Sequence, residues 1–225
     1  MQTPPSAPRA RGRWKTILAN VSPLLLVLVG RASLADHYHV PSGSMEPTLQ
    51  VKDHLLVDKR AYGLRVPLTH LWLTENEPRR GDVIVFDSPL DGRVMVKRLI
   101  GLPGDRIAFD GESVLLNGER VPQQHTPDGA RLEFLPGALH PLHPEPEQGP
   151  PLSEVVVPER GYLVLGDHRG NSADSRVWGF VPRENLLGRA VAVIYSQREG
   201  ISAGERWWLP LVPPETTALD SRLTR

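Results

Sequence analysis

Residues 39–49 run His-Val-Pro-Ser-Gly-Ser-Met-Glu-Pro-Thr-Leu. Two serines, Ser42 and Ser44, flank Gly43 in a loop bounded by Pro41 and Pro47. Pro and Gly at this density hold a backbone in one shape. A serine held in this way is a candidate nucleophile if a nearby group can remove its proton. Residues 94–100, Val-Met-Val-Lys-Arg-Leu-Ile, supply one such group. As a strand they set Val94, Val96, Arg98 and Ile100 on one face and Met95, Lys97 and Leu99 on the other. Lys97 therefore shares a face with two apolar residues. A free lysine has a pKa of ~10.4, so only about one in a few thousand is neutral at pH 7. Burial penalises the ammonium and lowers that value. A neutral amine can then act as general base toward a serine with no histidine involved. Most lysines instead pair with an acid or extend to solvent, and the pattern by itself accommodates that fate for Lys97 and Arg98 alike.

The elements that would position these groups read as β. Leu55-Leu56-Val57, Val83–Phe86, Arg93–Ile100, Arg106–Phe109, Val114–Leu116, Glu119–Val121, Tyr162–Leu165 and Ala190–Ser196 are short apolar or alternating runs. Asp91-Gly92, Asp110-Gly111 and Asn117-Gly118 punctuate them as tight turns. Residues 122–153, rich in Pro and His, predict an inserted loop or subdomain with little regular structure. Helical periodicity is weak after the N-terminal segment, and no solenoid-type repeat is present. The expected fold is mainly β: folded antiparallel sheets or a partial barrel.

The chain has 225 residues, with 26 basic and 26 acidic side chains. That balance argues against a general nucleic-acid binder. There is no cysteine, which excludes disulfides, thiolate nucleophiles and cysteine metal sites. Residues 1–13 are polar, Pro-rich and basic, and predict a disordered tail. Arg9, Arg11, Arg13 and Lys15 precede an apolar run from Ile17 to Gly30, and no acid occurs before Asp36. The run fits a signal-peptide core, with Ser33-Leu34-Ala35 imitating a cleavage site. It equally fits a membrane anchor over residues 14–35, with Lys15 and Arg31 reaching the two interfaces. In both cases the basic flank stays inside and the rest of the chain is exported.

Four segments occur in order: PSGSMEPTL (41–49), DHLLVDKRAYG (53–63), GDVIVF followed by VKRLIGLPGD (81–105), and GDHRGNSADSRVWGFVP (166–182). Together they closely resemble the type I signal peptidases, membrane-bound Ser–Lys serine proteases that cleave N-terminal signal peptides from exported preproteins. The resemblance covers nearly the whole chain from residue 14. It implies that Ser44 is the nucleophile and Lys97 the general base. It implies an oxyanion hole formed by the Ser42 hydroxyl and the Ser44 backbone N–H, and a role for Ser172 in orienting the lysine amine. Asp174 and Arg176 match the family's ion pair beside the site, and Gly166 and Asp167 match the residues that shape the local backbone. The sequence departs from the family pattern at His168, Gly170 and Val177. None of these positions carries an implied catalytic role.

The resemblance further implies a retained single-pass anchor at 14–35, a cytoplasmic tail at 1–13 and an extracytoplasmic catalytic domain at 36–225, in a bacterial cytoplasmic membrane. Its partners would be signal peptides with small residues at −1 and −3, and membrane lipid, with no nucleic acid, metal or cofactor. The pocket for the small residues is expected from residues around 40–45 and 83–97. The extended substrate is expected to pair with an exposed strand edge. His37, His39, His125, His140, His143 and His168 match no zinc spacing and are expected to be solvated surface residues. A self-cleaving Ser–Lys repressor shares the dyad, but it would carry a DNA-binding domain in place of the basic-apolar N-terminus. A peptidase specialised for pilus processing shares the motifs and would differ in substrate.

Overall fold

The computed structural model describes Ser22 and residues 35–64, 73–144, 149–197 and 206–211. The tail expected at 1–13 lies outside the described residues, as does the anchor expected at 14–35 apart from Ser22 and Ala35. Among the described residues no helix is long and apolar enough to cross a membrane.

The described chain is mainly β, as expected from its many short apolar runs. Among the described residues, fifteen strands form three antiparallel sheets. The largest contains β1 (Ala35–His39), β2 (Asp53–Asp58), β14 (Leu186–Ser196), β3 (Val83–Asp87), β4 (Val94–Gly101), β12 (Gly161–Leu165) and β13 (Val181–Pro182), in that spatial order, with β15 (Leu209–Pro210) beside β14. β14 breaks register against both of its main neighbours, and β12 does so against β4. Such bulges bend strands and increase twist. The sheet buries Val40, Met45, Leu49, Leu55 and Val57 in one cluster and Tyr62, Ile84, Phe86, Leu99 and Tyr162 in another.

A four-stranded sheet of β11 (Leu152–Val156), β5 (Arg106–Phe109), β6 (Val114–Leu116) and β7 (Glu119–Arg120) packs Ile107, Phe109 and Val114 against Ile100 and Leu163. The turn at 88–92 forms where Asp-Gly signals it: Ser88 N–H donates to the Arg93 carbonyl over 2.8 Å, and Gly92 has φ 70°. A short helix, α1 (Ser175–Trp178), is capped by Asp174, whose side chain accepts from the Arg176 N–H.

The segment 122–153 departs from expectation. It contains a regular three-stranded sheet of β8 (Gln123–His125), β9 (Arg131–Leu135) and β10 (Ala138–Leu142), followed by the start of β11. The alternation in β9 is inverted, because Arg131 and Glu133 point inward together with Leu135. A pattern search that expects apolar residues inside does not register such a strand. Pro141 sits on β10, an edge strand of this sheet, the position in a sheet that tolerates proline.

Candidate active site

The loop after β1 closes into a single 3₁₀ turn, Gly43–Met45. Glu46 N–H donates to the Gly43 carbonyl over 3.0 Å, and Leu49 N–H donates to the Met45 carbonyl over 2.9 Å. Met45 and Leu49 are fully buried and pin the loop to the core. Ser44 is thereby held inside the protein at 7% exposure, while Ser42 stays exposed in extended backbone. The two hydroxyl oxygens lie 3.3 Å apart.

β4 lies between β3 and β12, and this central position buries Lys97 to 3% exposure. The amine donates a short hydrogen bond to Ser44 Oγ. The structure therefore joins two residues 53 positions apart in sequence. Met95 and Leu99 share the lysine's face, as the alternation requires, and Leu99 is fully buried. Desolvation lowers the Lys97 pKa from 10.5 to about 8, against the opposing pull of Asp174 and Asp167.

Those two carboxylates offset the desolvation only in part, and arginines already hold them. Asp167 accepts from Arg98 Nε over 2.8 Å and from Arg98 Nη2 over 2.7 Å, with Thr48 Oγ1 donating over 2.5 Å. Burial would raise the Asp167 pKa, but Arg98 beside it holds it below the usual carboxylate value. Asp174 accepts from Arg176 Nε over 2.8 Å and from Nη2 over 2.7 Å, with both side chains fully buried. A third pair comes from the 123–142 sheet. Glu133 accepts from Arg169 Nη1 over 3.0 Å and also from Nη2. Burial would raise Glu133, but Arg169 and His140 hold it well below the carboxylate range. Arg169 Nε in turn donates to the Gly166 carbonyl over 3.1 Å. Two of these bidentate pairs, Arg98–Asp167 and Arg176–Asp174, occupy the carboxylates whose charge reaches the amine, while Arg169–Glu133 braces the same segment at Gly166.

Gly166 is required by close approach. A Cβ there would collide with the Ser44 carbonyl oxygen and with Ser172 Oγ. Gly166 N–H donates to Asp174 Oδ2 over 3.0 Å, and the His168 N–H donates to the Ser44 carbonyl over 3.2 Å. The 166–176 segment is therefore clamped directly onto the serine loop.

Most of the residues singled out in the sequence meet here: Ser42, Ser44, Lys97, Gly166, Asp167, Asp174 and Arg176. Ser172 is buried against Gly166, but its hydroxyl makes no hydrogen bond among the described residues. The bond expected to orient the lysine is not formed, and the amine bonds to Ser44 instead. The histidines also need correction. His140 and His168 are buried at 2% and 7% exposure. Burial, with Arg98 adding to it, lowers the His140 pKa. His37, His39 and His125 are exposed as expected. Thr48, Arg98, Glu133 and Arg169 belong to the site's support; the first two and Arg169 lie within the quoted motifs, but nothing in the spacing named their side-chain partners. Their partners lie 36 to 119 positions away.

A cavity of about 370 Å³ opens beside Ser44. Tyr38, Leu55, Val85, Met95, Val96 and Trp178 give it an apolar lining. It draws on the segments around 40–45 and 83–97, as expected, with Ala173 and Trp178 added from the 166–182 motif. Among the described residues β1 pairs only with β2, and no described strand lies along its other edge.

Comparison with known proteins places this geometry in a family. Residues 13–195 match the family model described as signal peptidase, peptidase S26. The chain is 34% identical over 215 residues to a probable signal peptidase I-2 of Synechocystis sp., covering 87% of this chain and 85% of the relative. It is 39% identical over 199 residues to signal peptidase I of Pseudomonas fluorescens, covering 78% and 70% respectively. The crystal structure of a signal peptidase I from Enterococcus faecalis is 30% identical and covers 52% of this chain and 98% of that one, with a TM-score of 0.36. A buried serine bonded to a buried lysine, in a chain matched along most of its length, leads to one conclusion: the chain belongs to the signal peptidase family, peptidase S26.

Proposed function

We propose that Ser44 and Lys97 carry out the signal-peptide cleavage that family membership assigns to this chain. The observation that carries this reading is the hydrogen bond between the Lys97 amine and Ser44 Oγ inside a desolvated site. Neutral Lys97 takes the Ser44 proton as Oγ attacks the scissile carbonyl carbon. The resulting oxyanion is held by the Ser44 backbone N–H and the Ser42 hydroxyl, whose oxygen lies 3.3 Å from Ser44 Oγ. Protonated Lys97 then gives its proton to the leaving amine, and the signal peptide stays as an ester on Ser44. Lys97, neutral again, deprotonates a water that attacks the ester and frees Ser44. The chain's own groups supply every proton transfer.

The carboxylate–arginine pairs keep this cycle available near neutral pH. A free carboxylate beside Lys97 would stabilise the ammonium and remove the base. Ser172 acts through packing, filling the space behind Gly166 and the Ser44 carbonyl. The apolar cavity takes small side chains on the signal-peptide side of the cut. The open edge of β1 pairs with the extended substrate by strand addition. Residues 14–35 anchor the enzyme in a bacterial cytoplasmic membrane. Because β1 begins at Ala35, the site then sits close to the membrane surface, where the substrate's apolar core ends.

The test is cleavage of a preprotein by detergent-solubilised full-length chain. Ser44→Ala and Lys97→Ala should each abolish it with the fold retained. Cleavage at the parent rate by either variant refutes the dyad.

A further inference from the structure

Glu46, His143 and His168 come from three distant segments and meet next to the serine loop. One potential donor atom from each lies within 4.8 Å of the others. The His143 and His168 rings stack at 3.7 Å between centroids, tilted by only 6°. His143 Nδ1 is buried and has no hydrogen-bond partner among the described residues. The Glu46 carboxylate enters no ion pair among them and packs over Gly43, where an added Cβ would come within 3.1–3.2 Å of its carbon and both oxygens. Glu46 and His143 are half-buried, so the cluster is open to solvent.

We propose that Glu46, His143 and His168 form a binding site for a divalent zinc-class ion, and that the bound ion inhibits the peptidase. Two imidazoles and one carboxylate suit zinc, copper and nickel better than calcium or magnesium. Ligand atoms around a tetrahedral zinc lie about 3.4 Å apart, given metal–ligand distances of ~2.0–2.1 Å. The three donors must therefore draw together, and the stacked rings must fan apart at their nitrogen ends. That movement is transmitted to the catalytic loop by short links. The His168 N–H holds the Ser44 carbonyl over 3.2 Å, and the Glu46 N–H holds the Gly43 carbonyl over 3.0 Å. Pulling the Glu46 carboxylate off Gly43 shifts the turn that presents Ser44 to Lys97. The ion takes no part in the hydrolysis. Sequence spacing did not reveal the site, because its ligands are separated by 97 and 25 positions.

The inhibition rests on the serine–lysine reading, whereas binding does not, so the two are measured separately. Co²⁺ titration of the full-length chain in detergent, followed by the visible absorption of the bound ion and by calorimetry with Zn²⁺, should show one ion per chain. His143→Ala should weaken binding by more than the ~10–100-fold that outer-shell changes typically cost. Glu46→Gln should weaken it as well. Zn²⁺ should lower kcat at least tenfold in the parent, a chelator should restore it, and His143→Ala should keep its activity in the presence of Zn²⁺. Absence of saturable binding to the parent overturns the proposal. So does equal binding and inhibition in parent and His143→Ala. Inhibition that survives His143→Ala but disappears in His39→Ala would move the ion to the exposed His37 and His39 beside half-buried His54, where ring centroids lie 5.8 and 6.4 Å from that of His54, and would also overturn it.

Discussion

Lys97→Met should stabilise the protein at neutral pH while abolishing its activity. Met keeps the length and apolar character of the lysine stem without the ammonium. The folded-state pKa of Lys97 is about 8, against 10.5 for an unperturbed lysine. Below pH 8 the folded and unfolded chains both hold the proton, and the folded chain bears the full cost of a buried cation. Between 8 and 10.5 the folded chain has released that proton and the unfolded chain retains it, so stability rises with pH. A difference of about 2.5 pKa units at 1.36 kcal/mol each gives a cost of about 3 kcal/mol at pH 7, falling to about 1.4 kcal/mol at pH 9.5. Lys97→Met removes this cost. Its advantage over the parent should therefore shrink by about 2 kcal/mol between those pH values, or about 4–8 °C in Tm for a chain of this size. Loss of the bond to Ser44 and changes in packing act at both pH values, so the narrowing isolates the proton. The assay is thermal unfolding of parent and variant in the same detergent at pH 7 and 9.5. A Tm difference that stays constant across that range would refute the claim that Lys97 is buried with a depressed pKa.

The same pKa predicts the activity profile: kcat/KM should rise about tenfold per pH unit below pH 8 and level off above it, whereas a limb near 10.5 would mean an unperturbed lysine. Gly166→Ala should reduce kcat by about 100-fold or more and destabilise by about 1–3 kcal/mol, because the new methyl meets the Ser44 carbonyl and Ser172; parent-level cleavage would show that the clamp is not required. Arg98→Ala should cost about 3–5 kcal/mol by leaving buried Asp167 without its partner, and Arg98→Met with Asp167→Leu should recover much of that loss in thermal unfolding. Ser42→Ala should lower kcat by about 10²–10³ with little change in KM, the mark of a group that acts on the oxyanion alone.

Much of the chemistry was legible in the chain itself. Pro41, Gly43 and Pro47 marked a shaped loop around Ser44, and period-two alternation placed Lys97 with Met95 and Leu99. Asp91-Gly92 and Asn117-Gly118 marked turns, and the apolar runs marked most of the large sheet, because backbone preference and face alternation are local properties. β9 was hidden for the opposite reason. Arg131 and Glu133 face inward there, and a buried charge is acceptable only once a distant partner is in place. The same reason hid the site's support. Nothing near Lys97 in sequence shows that its neighbouring carboxylates are already held by Arg98 and Arg176, or that Glu133 from an apparent loop neutralises Arg169. The sequence by itself determined the Pro- and Gly-shaped loop around Ser44, the strand that carries Lys97 and the mainly β class. Only the tertiary structure decided that the amine would be dry, unpaired and bonded to Ser44, because desolvation and charge pairing depend on everything packed around a group, however far away in the chain.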